Sequence, residues 1–279
     1  MRKNSSYINF KLEILISTMH RTSLSFLEAM FPCHDLEKFY ILIINQTGKG
    51  YELNSTFKNI RVINSYETGL SLSRNLAIKN ATGDICLIAD DDVEYLPNFQ
   101  QKILEVFLKH PLVSIFQFRI ETFCGLAYKD YPKSSKKLVK NQDLKKVSSI
   151  EIAFKRMDII EKGIWFNPCF GLGSYFKSGE EYLFLKKASQ SNLVICFENL
   201  FIVKHKFERS TANVGSDDSV KAKSALYFNE HKNLSYLFVL RFIYILFKMR
   251  KIEFKEIAKK YKVGLNAIKE YKDLKRLHR

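Results

Sequence analysis

The chain has 279 residues, 46% of them hydrophobic and 27% charged, with a formal net charge of +16, an ordinary globular composition with length for one large α/β domain or one domain with an appendage. Five cysteines (33, 86, 124, 169 and 196) are scattered and form no C-x-x-C pair, which excludes a disulfide framework and a zinc ribbon and fits reduced thiols in a cytosolic protein. The run before Ser17 is too short for a signal peptide's apolar core, and no stretch approaches about 18 uninterrupted apolar residues, so neither a leader nor a membrane span is expected. In chain order, Leu12–Ser17, Phe39–Asn45, Ile60–Ile63 and Ile85–Ala89 read as buried strands. Thr22–Phe31 and Leu70–Thr82 read as helices between them, with Gly83 as a left-handed C-terminal cap. Pro97 is expected to open a further helix as its first residue, with apolar positions at Phe99, Ile103, Leu104, Phe107 and Leu108 and a stop before Pro111. The Lys-rich stretch 128–149 reads as a mobile surface loop, 150–160 as a strand passing into a turn or helix, and Gly171–Gly173 as a loop. A helix is expected from near Ser178, one or two strands over 193–205, and a helical, basic tail from about 219.

Strand–helix alternation predicts an α/β fold with a doubly wound, mostly parallel sheet, whose ligands bind beyond the carboxyl ends of the strands. Ser17-Thr18, Asn45-Gln46 and Asp90-Asp91-Asp92 fall at three such ends. The aspartate triplet is costly. At about 4 Å two like charges repel by about 1 kcal/mol in water and about 4 kcal/mol in a half-buried site. A bound Mg²⁺ or Mn²⁺ would offset that repulsion, because hard carboxylate oxygens suit these ions and the ions commonly bridge to substrate phosphates. The plainer reading is a solvated acidic turn that caps the next helix. In Gly69-Leu-Ser-Leu-Ser-Arg74-Asn75, backbone N–H groups and Arg74 could face an anionic nucleotide, or Ser71 or Ser73 could simply cap a helix. Ser178-x-x-Glu181 matches a capping box. Glu180 and Glu181 also follow two glycines, and a carboxylate held there could take a proton from a hydroxyl. His205, after an apolar run, reads as a metal or pyrophosphate contact or as a structural histidine.

These pieces occur in one order: a strand ending in Ser-Thr, then GLSLSRN, DICLIADDDV, FGLGSYFKSGEE and VKHKFERS. Over residues 10–212 that order resembles the family 2 glycosyltransferases, inverting enzymes of the GT-A fold that use nucleotide-diphospho-sugars. The resemblance implies a catalytic domain over 1–215, with a nucleotide-sugar half near 10–120 and an acceptor half near 121–215, and a helical basic extension over 216–279. It implies that Ser17 and Thr18 lie near the nucleotide base, with Asn45-Gln46 in the place of an Asp-Gly pair, a departure from the family pattern at the base. It implies Arg74, Asn75, Asp90 and Asp91 beside the nucleotide sugar, and Asp92 as the direct ligand of Mg²⁺ or Mn²⁺, with Asp90 and His205 assisting. Glu180-Glu181 stand where the family has a Glu-Asp pair that supplies the base, and Glu181 is preferred. The implied donor is a nucleotide-diphospho-sugar, with a uridine diphosphate sugar favoured. The implied acceptor is a glycan or lipid-linked glycan, as in bacterial surface polysaccharide assembly.

Charge is uneven: net +1 over residues 1–120 (13 Lys and Arg against 12 Asp and Glu), +4 over 121–220 (16 against 12) and +11 over 221–279 (16 against 5). Such a tail suits an anionic membrane surface or nucleic acid. Residues 233–251, NLSYLFVLRFIYILFKMRK, are rich in aromatics and aliphatics and closed by cations. They are expected either to lie at the inner face of a membrane or to pack as a helix on the catalytic domain. No helix-turn-helix, zinc or RNA-recognition signature accompanies the tail, which disfavours a nucleic-acid-binding protein. The remaining alternative is an inactive domain that only binds its sugar nucleotide.

Overall fold

The computed structural model describes residues 10–32, 34–207 and 214–277. The basic opening residues, Cys33 and residues 208–210 of the VKHKFERS stretch lie outside the described residues. The chain divides into two compact units, one of Met1–Thr68, Leu72–Phe166 and Glu181–Phe207, the other of Gly69–Ser71, Asn167–Glu180 and Glu208–Arg279.

The first unit is built on one sheet. Its strands are β1 (Leu12–Met19), β2 (Tyr40–Gln46), β3 (Ile60–Ser65), β4 (Ile85–Asp90), β5 (Glu94–Tyr95), β6 (Ile115–Thr122), β7 (Lys136–Lys137), β8 (Ile152–Lys155) and β9 (Ile195–His205). The spatial order is β3-β2-β1-β4-β8-β6-β9-β5, with β7 also paired to β9. The β3-β2-β1-β4 half is parallel, and its Ile- and Leu-rich central strands are buried nearly end to end, as strands covered on both faces must be. β8 runs antiparallel to both β4 and β6, so the sheet as a whole is mixed. The helices in chain order are α1 (Phe26–Met30), α2 (Leu70–Asn80), α3 (Phe99–Lys109), α4 (Asn141–Leu144), α5 (Arg156–Glu161) and α6 (Glu180–Gln190), followed by α7 (Asp217–His231), α8 (Ser235–Lys248) and α9 (Ile257–Leu277).

Four local expectations are corrected. The helix expected over Thr22–Phe31 forms only as α1. Asn45 holds the Arg21 backbone at both ends, its Oδ1 accepting from Arg21 N at 3.1 Å and its Nδ2 donating to Arg21 O at 2.9 Å, so the chain leaves β1 in a tethered loop. Pro97 does not open α3. The preceding chain is still paired to β9, with Leu96 N donating to Ile202 O, and left-handed Asn98 (φ 60°) forms the junction, a conformation that asparagine tolerates. Gly83 is absent from the residues with positive φ. It is needed for close approach, since a Cβ there would lie 2.6 Å from Glu13 Cβ and 2.9 Å from Glu13 N. The stretch 128–149 is packed rather than loose. β7 pairs with β9, Leu138 and Leu144 are buried, and Tyr131 stacks on Phe197. Tyr131 and Lys129 both bond the buried Glu151, each at 2.7 Å.

The second unit contains the α7-α8-α9 helices around a small apolar core of Val220, Val239, Ile243, Leu246, Ile252 and Ile268. Ser216 caps α7, and Lys260 of α9 pairs with Asp217 at 2.8 Å. Within α8 the buried positions are Ser235, Val239, Ile243 and Leu246, the helical spacing of one inward face.

Candidate functional site

Parallel register aligns the strand ends. Ser17 is the register partner of both Ile44 and Asp90, and Thr18 is the partner of Asn45, which in turn faces Asn64. The side chains close the row. Ser73 Oγ donates to Ser17 Oγ at 3.0 Å, and Thr18 Oγ1 donates to Asp91. Gln46 is buried at the end of β2, where its carbonyl accepts from His20 N at 2.8 Å. Asn45 spends its amide on Arg21 and Asn64.

The three aspartates diverge. Asp90 accepts from Arg74 Nη2 at 3.1 Å, and Ser149 Oγ lies 3.5 Å from its other oxygen. Asp91 accepts from Arg21 Nε at 2.8 Å, with Nη2 also at 2.8 Å. Asp92 turns to His205, whose Nε2 is 3.3 Å from Asp92 Oδ2. Backbone pairing explains that last contact: Glu94 sits opposite Lys204 in the antiparallel β5–β9 ladder, which carries the neighbouring His205 towards the triplet. The hydrogen bond from His205 holds the Asp92 carboxyl below the usual aspartate range, against the opposing effect of its partial burial. Like-charge repulsion within the triplet is thus relieved by three separate partners.

Arg74 ties the site together. Its side chain is 3% exposed, with Nη2 on Asp90 and Nη1 3.3 Å from Glu181 Oε1. Its guanidinium lies over the Phe166 ring, 5.5 Å from the centroid. One buried cation therefore joins the carboxylate at the end of β4 to a carboxylate in the first turn of α6, residues separated by 91 positions in sequence. Neighbouring Asn75 clamps the Phe166 backbone instead, donating to its carbonyl at 2.9 Å and accepting from its N–H at 2.8 Å. Glu180 belongs to the second unit. There, left-handed Gly171 (φ 106°) lies so close that a Cβ on it would be 3.3 Å from Glu180 Cδ and 3.3 Å from Ser71 Oγ.

The Glycosyl transferase family 2 model matches residues 20–177, more than half of the chain. The chain belongs to that family. Its first unit carries the GT-A arrangement, and solved structures of similar fold bear this out. S. aureus TarS 1–349 in complex with UDP-GlcNAc is 14% identical with a TM-score of 0.58, over 94% of this chain and 80% of that one. The same protein in complex with UDP is 12% identical with a TM-score of 0.53, over 96% and 92%. Longer S. aureus TarS matches over 88% of this chain and 46% of its own, at 14% identity and a TM-score of 0.53. At such identities the likeness speaks to fold alone. No curated protein sequence matches the chain.

In this family 2 chain the structure adds residues that the sequence reading did not single out. Arg21, in the loop beyond β1, supplies the partner of Asp91, and its guanidinium also sits 5.0 Å from the Phe26 ring centroid. Ser149 reaches Asp90 from the turn before β8. Lys204 pairs with Glu94 at 2.8 Å beside the Asp92–His205 contact. The signal for Arg21 was available, since it lies just past the Ser-Thr strand end. Ser149 and Lys204 gave none, because their positions depend on strand pairings far apart in sequence.

Proposed function

We propose that this glycosyltransferase moves a sugar from a nucleotide-diphospho-sugar to an acceptor hydroxyl with inversion at the anomeric carbon. The favoured donor is a uridine diphosphate sugar, and the proposed acceptor is a glycan or lipid-linked glycan of bacterial surface polysaccharide. The Arg74 bridge between Asp90 and Glu181 carries this reading. It holds a strand-end carboxylate suited to the donor side and a candidate proton acceptor within one side chain's reach. Family membership supports sugar transfer, and the TarS neighbours, described in complex with UDP-GlcNAc and UDP, support the uridine donor.

In the proposed reaction Glu181 takes the proton of the acceptor O–H. The oxygen's electron pair forms the new bond to the anomeric carbon from the face opposite the leaving group. The bond from that carbon to the diphosphate oxygen breaks, and its electron pair departs with the nucleoside diphosphate. Arg74 fixes the direction of the Glu181 carboxylate, and positioning of the two substrates supplies much of the rate. Asp91 is held by Arg21 and Thr18, which orients the strand end against the donor.

Mg²⁺ or Mn²⁺ fits the residues present. Asp92 offers an ionised, largely exposed carboxylate, and the His205 Nε2 that lies 3.3 Å from it would serve as a ligand in the tautomer that leaves this nitrogen unprotonated. No group of three or more His, Cys, Asp or Glu suited to a metal is found among the described residues. Diphosphate oxygens and water would therefore complete the coordination, the habit of Mg²⁺ at phosphate sites. Asp90 is turned to Arg74 and is better suited to orienting that cation. When bound, the ion would neutralise charge on the departing diphosphate.

The reading is tested with a panel of nucleotide sugars and Mn²⁺, by comparing Glu181→Gln, Glu180→Gln and Asp92→Asn. Transfer should fall by about a hundredfold or more in Glu181→Gln and remain substantial in Glu180→Gln. The reverse result would move the base by one residue. In titration calorimetry, Asp92→Asn should remove the Mn²⁺ dependence of UDP binding. Unchanged dependence would remove the metal assignment.

A further inference from the structure

α8 has two apolar faces, and among the described residues only one of them is buried. Ser235, Val239, Ile243 and Leu246 face the core. At about 3.6 residues per turn, Leu237, Leu240 and Tyr244 fall on the opposite side, and they are 64%, 49% and 54% exposed. The exposed apolar surface continues through Phe247, Met249 and Phe254. Monomeric proteins seldom leave so continuous an apolar stripe uncovered, and such patches mark interaction sites.

Charge identifies the occupant. α8 contains no Asp or Glu, while Arg241 and Lys248 lie beside the stripe and Arg250 and Lys251 follow it. Glu253, the next carboxylate, is paired with Lys255 at 2.8 Å. At the other end of α8, Tyr236 Oη accepts from Lys272 Nζ at 2.9 Å. Lys272 belongs to a cleft of about 370 Å³ lined by Phe228, Lys232, Lys272, Lys275 and Arg276. Both ends of the apolar stripe are therefore cationic. A self-matching pair of copies would set these cations against themselves with no α8 carboxylate to meet them. No described helix is long and apolar enough to cross a membrane. An apolar stripe with a basic rim on a non-spanning helix has the make-up of an interfacial anchor.

We infer that the outward face of α8 docks this protein on an anionic phospholipid bilayer. Leu237, Leu240 and Tyr244 enter the acyl boundary, and the flanking Lys and Arg residues meet lipid phosphates. This goes beyond the transfer reaction and does not depend on it. The test uses the full chain with sedimented vesicles of phosphatidylcholine, with and without phosphatidylglycerol. Wild type should bind the anionic vesicles at low salt and leave the neutral ones largely unbound. Lys248→Gln/Arg250→Gln/Lys251→Gln should lower the vesicle partition constant by roughly a hundredfold. Leu237→Ser/Leu240→Ser/Tyr244→Ser should also abolish sedimentation, with the circular dichroism melt confirming that the variant is folded. Equal binding to both vesicle types, no binding to either, or full binding by the folded apolar variant would overturn the inference. So would light scattering that showed a wild-type dimer dissolved by the apolar substitutions, which would assign the face to a second copy.

Discussion

A guanidinium that is almost fully buried between two carboxylates is stable only while both remain. Arg74 has that position, with Asp90 on one nitrogen and Glu181 on another. Its removal would leave the two acids without their shared cation, the situation in which breaking a buried pair costs about 3–5 kcal/mol. Asp90 and Glu181 retain some solvent, so the lower end of that range applies. Arg74→Met is accordingly expected to lose about 3 kcal/mol of unfolding free energy in urea and nearly all transfer. Arg74→Lys keeps the charge but cannot hold both acids through one planar fork, so it should recover more stability than activity. Equal recovery of both would argue that Arg74 has only a packing role. The sequence offered Arg74 as a nucleotide contact; its bridging role was hidden, because Asp90 and Glu181 meet it only once α2, β4 and α6 are assembled.

At the scale of elements, β1 and the turn before β4 depend on one buried acid. Glu13 accepts from Arg61 Nη2, Thr82 N and Gly83 N at 2.8, 2.5 and 2.8 Å. Burial alone would raise its pKa, but Arg61 and the two backbone donors outweigh burial and hold it below the ordinary value of 4.5. A depressed folded pKa contributes stability that is complete above the unfolded value and is lost as pH falls through the folded one. The thermal midpoint should therefore decline on acidification below pH 4.5. Glu13→Gln should start lower at neutral pH and show a shallower acid decline. An equally steep acid limb in the variant would mean that other carboxylates govern it. The same element shows what local sequence can reveal. The apolar runs of β1, β2 and β4 declared themselves, since a parallel strand covered on both faces must be apolar throughout. Gly83 was recognisable as special but not for the right reason, because the side chain it makes room for is 70 positions away. The 128–149 stretch looked mobile because its lysines are the visible feature. Its anchors, Leu138, Leu144 and Tyr131, are spaced too irregularly to signal burial, and their partners on β9 and Glu151 come from distant chain.

Across the whole molecule, charge separates the two kinds of binding proposed. Residues 1–120, which supply Thr18, Asp90, Asp91, Asp92 and Arg74, carry net +1, while residues 221–279 carry +11. Salt at about 0.1 M already limits unscreened interactions to about 10 Å. A donor held by short contacts among balanced charges, such as Arg21–Asp91 and Arg74–Asp90, gains little from long-range attraction. A bilayer held by scattered surface cations depends on such attraction, at about 1 kcal/mol for each Lys or Arg near the surface. Raising salt from about 0.05 M to about 0.5 M shrinks the screening length roughly threefold. The Kd for a uridine diphosphate sugar with Mn²⁺ held in excess should then change by only a few-fold, while vesicle binding should fall by an order of magnitude or more. If donor affinity collapsed in parallel with vesicle binding, the basic tail would be acting on the nucleotide. The near-neutral strand-end site would then no longer suffice to explain how the donor is held.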